Sequence, residues 1–102
     1  MEPAAAPMVQ QIEDLLSRSS PPLDCVEDTL TEGYARALSL EAERLRLERK
    51  LCEVAAGATP ERTAEIRSLG SRLIDADGEI EQLRSLLDTL HERARELRAA
   101  LN

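Results

Sequence analysis

Few side chains in this 102-residue chain are equipped for chemistry. His91 is the sole histidine and stands next to Glu92. A catalytic imidazole needs an orienting carboxylate and a nucleophile in one pocket, and a zinc site needs further ligands. Neither set is spaced around His91, which reads as a solvated surface residue. Cys25 and Cys52 lie 27 residues apart without a CxxC, so neither a redox motif nor a zinc knuckle is indicated. Nothing marks a secreted chain, so no disulfide is expected between them. Cys52 reads instead as a small buried hydrophobe. The run Asp75-Ala76-Asp77-Gly78-Glu79-Ile80 has the outline of a calcium loop. Aligned on its glycine, however, it offers Leu73 for the first Asp and Arg84 for the bidentate Glu, which removes two essential ligands. Ser20-Pro21 fits a proline-directed kinase, and a phosphate there would place charge in a hinge. With no nucleophile–base pair, phosphate loop or ligand set, the chain is not expected to be an enzyme. No metal, cofactor or small-molecule substrate is implied.

The elements available to position any site are helices. The chain is 42% hydrophobic and 32% charged, with one Tyr and no Phe or Trp, and its apolar residues are mainly Leu, Ala, Ile and Val. This composition points to an all-α chain of the coiled-coil kind. Residues 1–7, rich in Pro and Ala, read as a disordered tail. In residues 8–18, Met8, Ile12, Leu15 and Leu16 share one face of a short amphipathic helix, too short to be stable alone. Residues 19–23 form a Ser/Pro linker in which Pro21 and Pro22 break the helix.

Residues 24–102 carry a helical hairpin with helices over about 24–56 and 60–101. Asp24 is the expected N-cap of the first, with Glu27 in capping-box position. Its seam runs Val26, Leu30, Gly33, Ala37, Leu40, Arg44, Leu47, Leu51 and Val54, a heptad spacing interrupted only by Arg44. Gly57 ends that helix, and Thr59-Pro60 starts the next. The second seam runs Ile66, Leu69, Leu73, Ala76, Ile80, Leu83, Leu87, Leu90, Ala94, Leu97 and Leu101, apolar throughout. Gly70 and Gly78 fall outside it, so one continuous helix is predicted, softened near Asp75–Gly78.

So short a loop favours an antiparallel pair. The register then sets Val54 against Ile66, Leu51 against Leu69, Leu47 against Leu73, Leu40 against Ile80, Gly33 against Leu87 and Leu30 against Leu90. Arg44 falls opposite Ala76 beside Asp75 and Asp77. The expected flanking pairs are Lys50–Glu65, Glu43–Arg72 and Arg36–Glu79, with Glu41–Asp77 as the one repulsive contact that Arg44 screens. Tyr34 is expected to stack over Arg84. A parallel homodimer of the last helix gains Arg72–Asp77 and Glu79–Arg84 but suffers Arg93–Arg98, so charge and loop length both favour the hairpin. The molecule should be elongated.

The net charge is −7, and residues 1–32 carry seven acids against the single base Arg18. Binding of nucleic acid calls for a basic face, and no basic excess exists. The same balance argues against anionic membrane surfaces. The start of the chain lacks the basic and apolar regions of a signal peptide, and no run is long enough to insert into a membrane. A cytoplasmic or nuclear protein is expected.

The hairpin leaves apolar residues over. Leu38, Leu45, Cys52, Ile74 and Leu86 lie off the two-helix seam, and Leu97 and Leu101 outrun it. A bordered apolar stripe of this kind marks a protein contact. The expected function is a non-enzymatic coiled-coil interaction module, a small assembly or adaptor subunit of a larger complex, acting as a homodimer or hetero-assembly through its helices. The expected contact residues are Leu38, Leu45, Leu86, Leu97 and Leu101, joined by Ile12, Leu15 and Leu16 from a mobile head segment. The alternative is a regulator that sequesters another helical factor, zipper-fashion, through residues 60–102.

Overall fold

Helix follows helix along the chain, as the heptads require. The structure is a computed structural model and describes residues 6–57 and 59–101. Helix α1 spans Ala6–Ser17, α2 spans Leu23–Ala56, and α3 spans Thr63–Leu101 behind a single 3₁₀ turn at Pro60–Arg62. No strand occurs among the described residues. Two residues of the expected tail, Ala6 and Pro7, belong to α1, where a proline in the first turn gives up only an N–H that the helix would leave unbonded. Residues 1–5 of that tail lie outside the described residues. The molecule measures 63 × 21 × 15 Å, with a radius of gyration of 17.9 Å. A compact domain of this size would have a radius near ~13 Å, so the elongated hairpin is the observed shape.

The start of α2 departs from the expected capping box. Pro22 is the N-cap residue, held extended at φ −61° and ψ 132°, and no side chain caps the end. The first intrahelical bond runs from the Val26 N–H to the Pro22 carbonyl at 3.1 Å. Proline already fixes the entry φ, so the helix begins a residue earlier and Asp24 enters its first turn, where its charge complements the helix dipole. Glu27 does not reach back to cap; it accepts a bond from Arg98 Nη2 at 3.0 Å. At the far end the Gly57 N–H bonds the Glu53 carbonyl. Helix α3 is continuous through Gly70 and Gly78.

The hairpin register is the expected one at its tightest point. A β-carbon added to Gly33 would collide with the Leu87 side chain, so α2 and α3 approach closely there because no side chain stands between them. The core divides the molecule in two. In the half remote from the turn, Val26, Leu30, Ala37, Leu40, Ile80, Leu83, Leu87, Leu90 and Ala94 are buried together with Val9, Ile12 and Leu15 of α1. That half is a three-helix bundle. Toward the turn the same heptad positions are covered less well. Val54 and Leu69 are buried, but Leu47, Leu51, Ile66, Leu73 and Ala76 are only half-covered. Two helices alone cannot close a seam that three can. This second half is a two-helix stalk.

Arg44 stands at the border between the halves. It bonds Asp77 through Nε and Glu48 through Nη1, the latter at 3.1 Å. The carboxylates hold its guanidinium pKa above the ordinary value, first through the Asp77 hydrogen bond and then through the Asp77 charge. The Glu41–Asp77 repulsion is avoided because Arg44 takes Asp77 and Glu41 turns to Arg84. Arg84 is thereby engaged, and Tyr34, 40% exposed, makes no ring contact with it. Two of the expected flanking pairs, Lys50–Glu65 and Glu43–Arg72, do not come within ion-pair distance. Long side chains on an open flank choose among several neighbours, and their ion pairs contribute little to the choice.

Candidate docking surface

Helix α1 decides which of the leftover apolar residues remain available. It lies in the groove between α2 and α3 on one side of the hairpin. Gln11 Nε2 donates to Thr29 Oγ1 of α2 at 3.3 Å. Arg93 Nη2 of α3 donates to the carbonyls of Arg18 and Ser19 at 3.0 and 2.9 Å. These contacts set α1 antiparallel to α2 and parallel to α3, with its first turn directed at the stalk. Arg93 satisfies carbonyls just past the C-terminus of α1 that the helix itself leaves unbonded. This tie spans 75 residues of sequence, and the spacing of charges along the chain gave no sign of it. Thr29, buried at the same contact, also went unnoticed because threonine is not apolar. Opposite α1, the other flank is laced by Glu27–Arg98, Glu41–Arg84 and Asp77–Arg44.

The expected contact residues fall into three places. Ile12, with no exposure, and Leu15 are core residues of the bundle, and Leu16 is partly covered against it. The head segment is thus docked on its own hairpin, and these three reach a partner only if α1 lifts off. Leu86 and Leu97 are also partly buried and pack on the bundle core. Leu38, Leu45 and Leu101 stand out at 65%, 45% and 74% exposure. Leu101 ends α3, far from the other two. Leu38 and Leu45 sit one heptad apart on α2, and Cys52 follows them a further heptad on. Cys52 is exposed, not buried, because its helix position points away from α3 on the flank opposite α1. Ile74, at 72%, belongs on the same flank of the stalk from α3. Its off-seam position signalled it, although it stands outside the expected contact set.

The docked arrangement also bears on α3 as a zipper. Leu83, Leu87, Leu90 and Ala94 have no exposed surface, so pairing α3 with another chain requires the bundle to open. The chemically capable residues are not gathered. His91 is exposed. Cys25 and Cys52 are both unpaired and exposed, and 27 residues along one helix separate them by about 40 Å, beyond the reach of a disulfide. Ser20 is exposed in the linker. Among the described residues no three His, Cys, Asp or Glu side chains converge on a metal position. None of their helices is long and apolar enough to cross a membrane. At the turn, the neighbouring Thr59 hydroxyl and then the Glu61 backbone amide hold the Glu61 carboxyl pKa below the ordinary value.

No family model, no curated protein and no solved structure matches the chain.

Proposed function

We propose that the chain is a non-enzymatic coiled-coil interaction module, a small assembly or adaptor subunit that docks other helices along its stalk. One observation carries the reading. The same seam that α1 covers in the bundle is left half-covered in the stalk, where Leu45 and Ile74 are exposed beside it. Apolar surface concentrated on one segment with a charged border is characteristic of a protein contact. The bundle half provides a rigid base and the stalk provides the binding face.

The test uses an environment-sensitive apolar dye on the full chain and on the double variant Leu45→Glu/Ile74→Glu. The full chain should bind dye and the variant should bind much less, with helix content unchanged. A monomer that binds no dye removes the basis of the proposal.

A further inference from the structure

The groove that α1 occupies does not end where α1 ends. On the same side of the hairpin it continues along the stalk toward the turn, about 30 Å farther at helical rise, and nothing in the described chain lies in it. There it forms a concavity of about 300 Å³ lined by Leu47 and by Glu43, Arg46, Lys50 and Arg72. Three cations therefore face one anion, in a chain whose net charge is −7. Among the described residues none of Arg46, Lys50 and Arg72 has an ion-pair or hydrogen-bond partner, whereas Arg44, Arg84, Arg93 and Arg98 all do. The occupied half of the groove shows what fits it. Helix α1 presents Val9, Ile12 and Leu15 to the seam, and its acids Glu13 and Asp14, unaccompanied by any base, lie on its outer side without pairing to the hairpin.

We infer that the stalk groove receives an acidic amphipathic helix of another protein, laid end to end with α1 and extending the three-helix bundle toward the turn. Its apolar face covers Leu47 and the half-exposed seam, and carboxylates along its edges pair with Arg46, Lys50 and Arg72. The inference rests on the proposed docking role of the stalk and specifies a partner for the α1 side of its seam, the side away from Leu45 and Ile74. A second copy of this chain is a poorer occupant, because its own acidic helix is already buried in its own bundle.

The probe is a fluorescent synthetic helix of three heptads with Leu and Ile at the seam positions and Glu on both flanks. A matched peptide carries Lys in place of Glu. Binding to the full chain is read by anisotropy at low and moderate salt. The Glu peptide should bind the natural chain, more weakly as salt rises, and Lys50→Glu/Arg72→Glu should weaken it about tenfold while the Lys peptide gains. Both replaced residues are exposed, so folding is checked by circular dichroism, and Lys50→Gln/Arg72→Gln should give an intermediate loss. Equal binding of the two peptides, or no response to charge reversal, overturns the inference. So does light scattering that shows a dimer dispersed by the reversal, which would make a second copy the occupant. Dye binding that persists while the peptides fail refutes the acidic-helix partner and leaves the docking role standing. Loss of both refutes both.

Discussion

Three glycines in the two long helices should respond to alanine in opposite senses. Gly33, Gly70 and Gly78 are all helical, and alanine is favoured over glycine there by about 1 kcal/mol. At Gly70 and Gly78 an added β-carbon meets nothing within 4 Å, so Gly70→Ala and Gly78→Ala should each stabilise by about 1 kcal/mol. At Gly33 the new carbon collides with a δ-carbon of Leu87. That side chain is wholly buried against Val26, Leu30, Leu83 and Leu90 in one core, so it cannot swing into water. Overpacking of this kind costs about 1–3 kcal/mol, which outweighs the helical gain and leaves Gly33→Ala less stable by about 1 kcal/mol. For a chain of this size that difference moves Tm by about 4–8 °C. Urea unfolding followed by far-UV circular dichroism would measure all three, with an unchanged slope showing that the denatured state is unaltered. The decisive comparison adds Leu87→Val, which deletes the colliding δ-carbons. In that background Gly33→Ala should turn stabilising, with a coupling of about 2 kcal/mol between the sites. Stabilisation by Gly33→Ala alone, or no coupling to Leu87, would refute the close approach of the helices and with it the register.

Other perturbations separate buried from exposed positions. Ile12→Ala should cost about 2–5 kcal/mol because its side chain is fully buried, whereas Leu38→Ala should stay within about 0.5 kcal/mol as an exposed substitution; urea titrations of both variants check the contrast. Arg93→Ala removes two charge-assisted bonds to backbone carbonyls and should cost about 1–2 kcal/mol after allowance for its partial exposure, with earlier proteolytic cutting near residues 17–20 as the direct sign. The Glu61 carboxyl should titrate below the 4.5 of an unperturbed glutamate, and Thr59→Val should raise it part of the way back in an NMR titration, the backbone hydrogen bond holding the rest. Because its folded pKa is depressed, its contribution to stability is present above the unfolded pKa and lost as pH falls through the folded one.

The long helices and their register were legible because a heptad repeat is a direct consequence of helical geometry. Eleven apolar seam positions in α3 allow one face only, and Gly57-Ala58-Thr59-Pro60 allows one turn. The details that escaped involve choices among near-equal alternatives. Pro22 and Asp24 both suit a helix start, and proline's fixed backbone decided it. Arg44 had Asp75, Asp77 and Glu48 within plausible reach, and the rotamers chose the last two. The placement of α1 was hidden for another reason. An apolar face on a three-turn helix states that it needs cover but not which surface provides it. The Arg93 tie that anchors its end joins residues distant in sequence and follows no periodic pattern. For the docking surface, Leu38 and Leu45 were readable as positions off the seam. The cationic groove was not, because the expected pairing of Lys50 with Glu65 and Glu43 with Arg72 would have neutralised it.

Hydrogen exchange resolved along the chain tests the division into closed bundle and open stalk most directly, since local opening follows the burial that holds each segment. The account predicts the slowest exchange over residues 26–40 and 80–94 and progressively faster exchange through 44–56 and 63–76. Equal protection along the whole hairpin would contradict it, because the stalk seam would then already be covered without a partner.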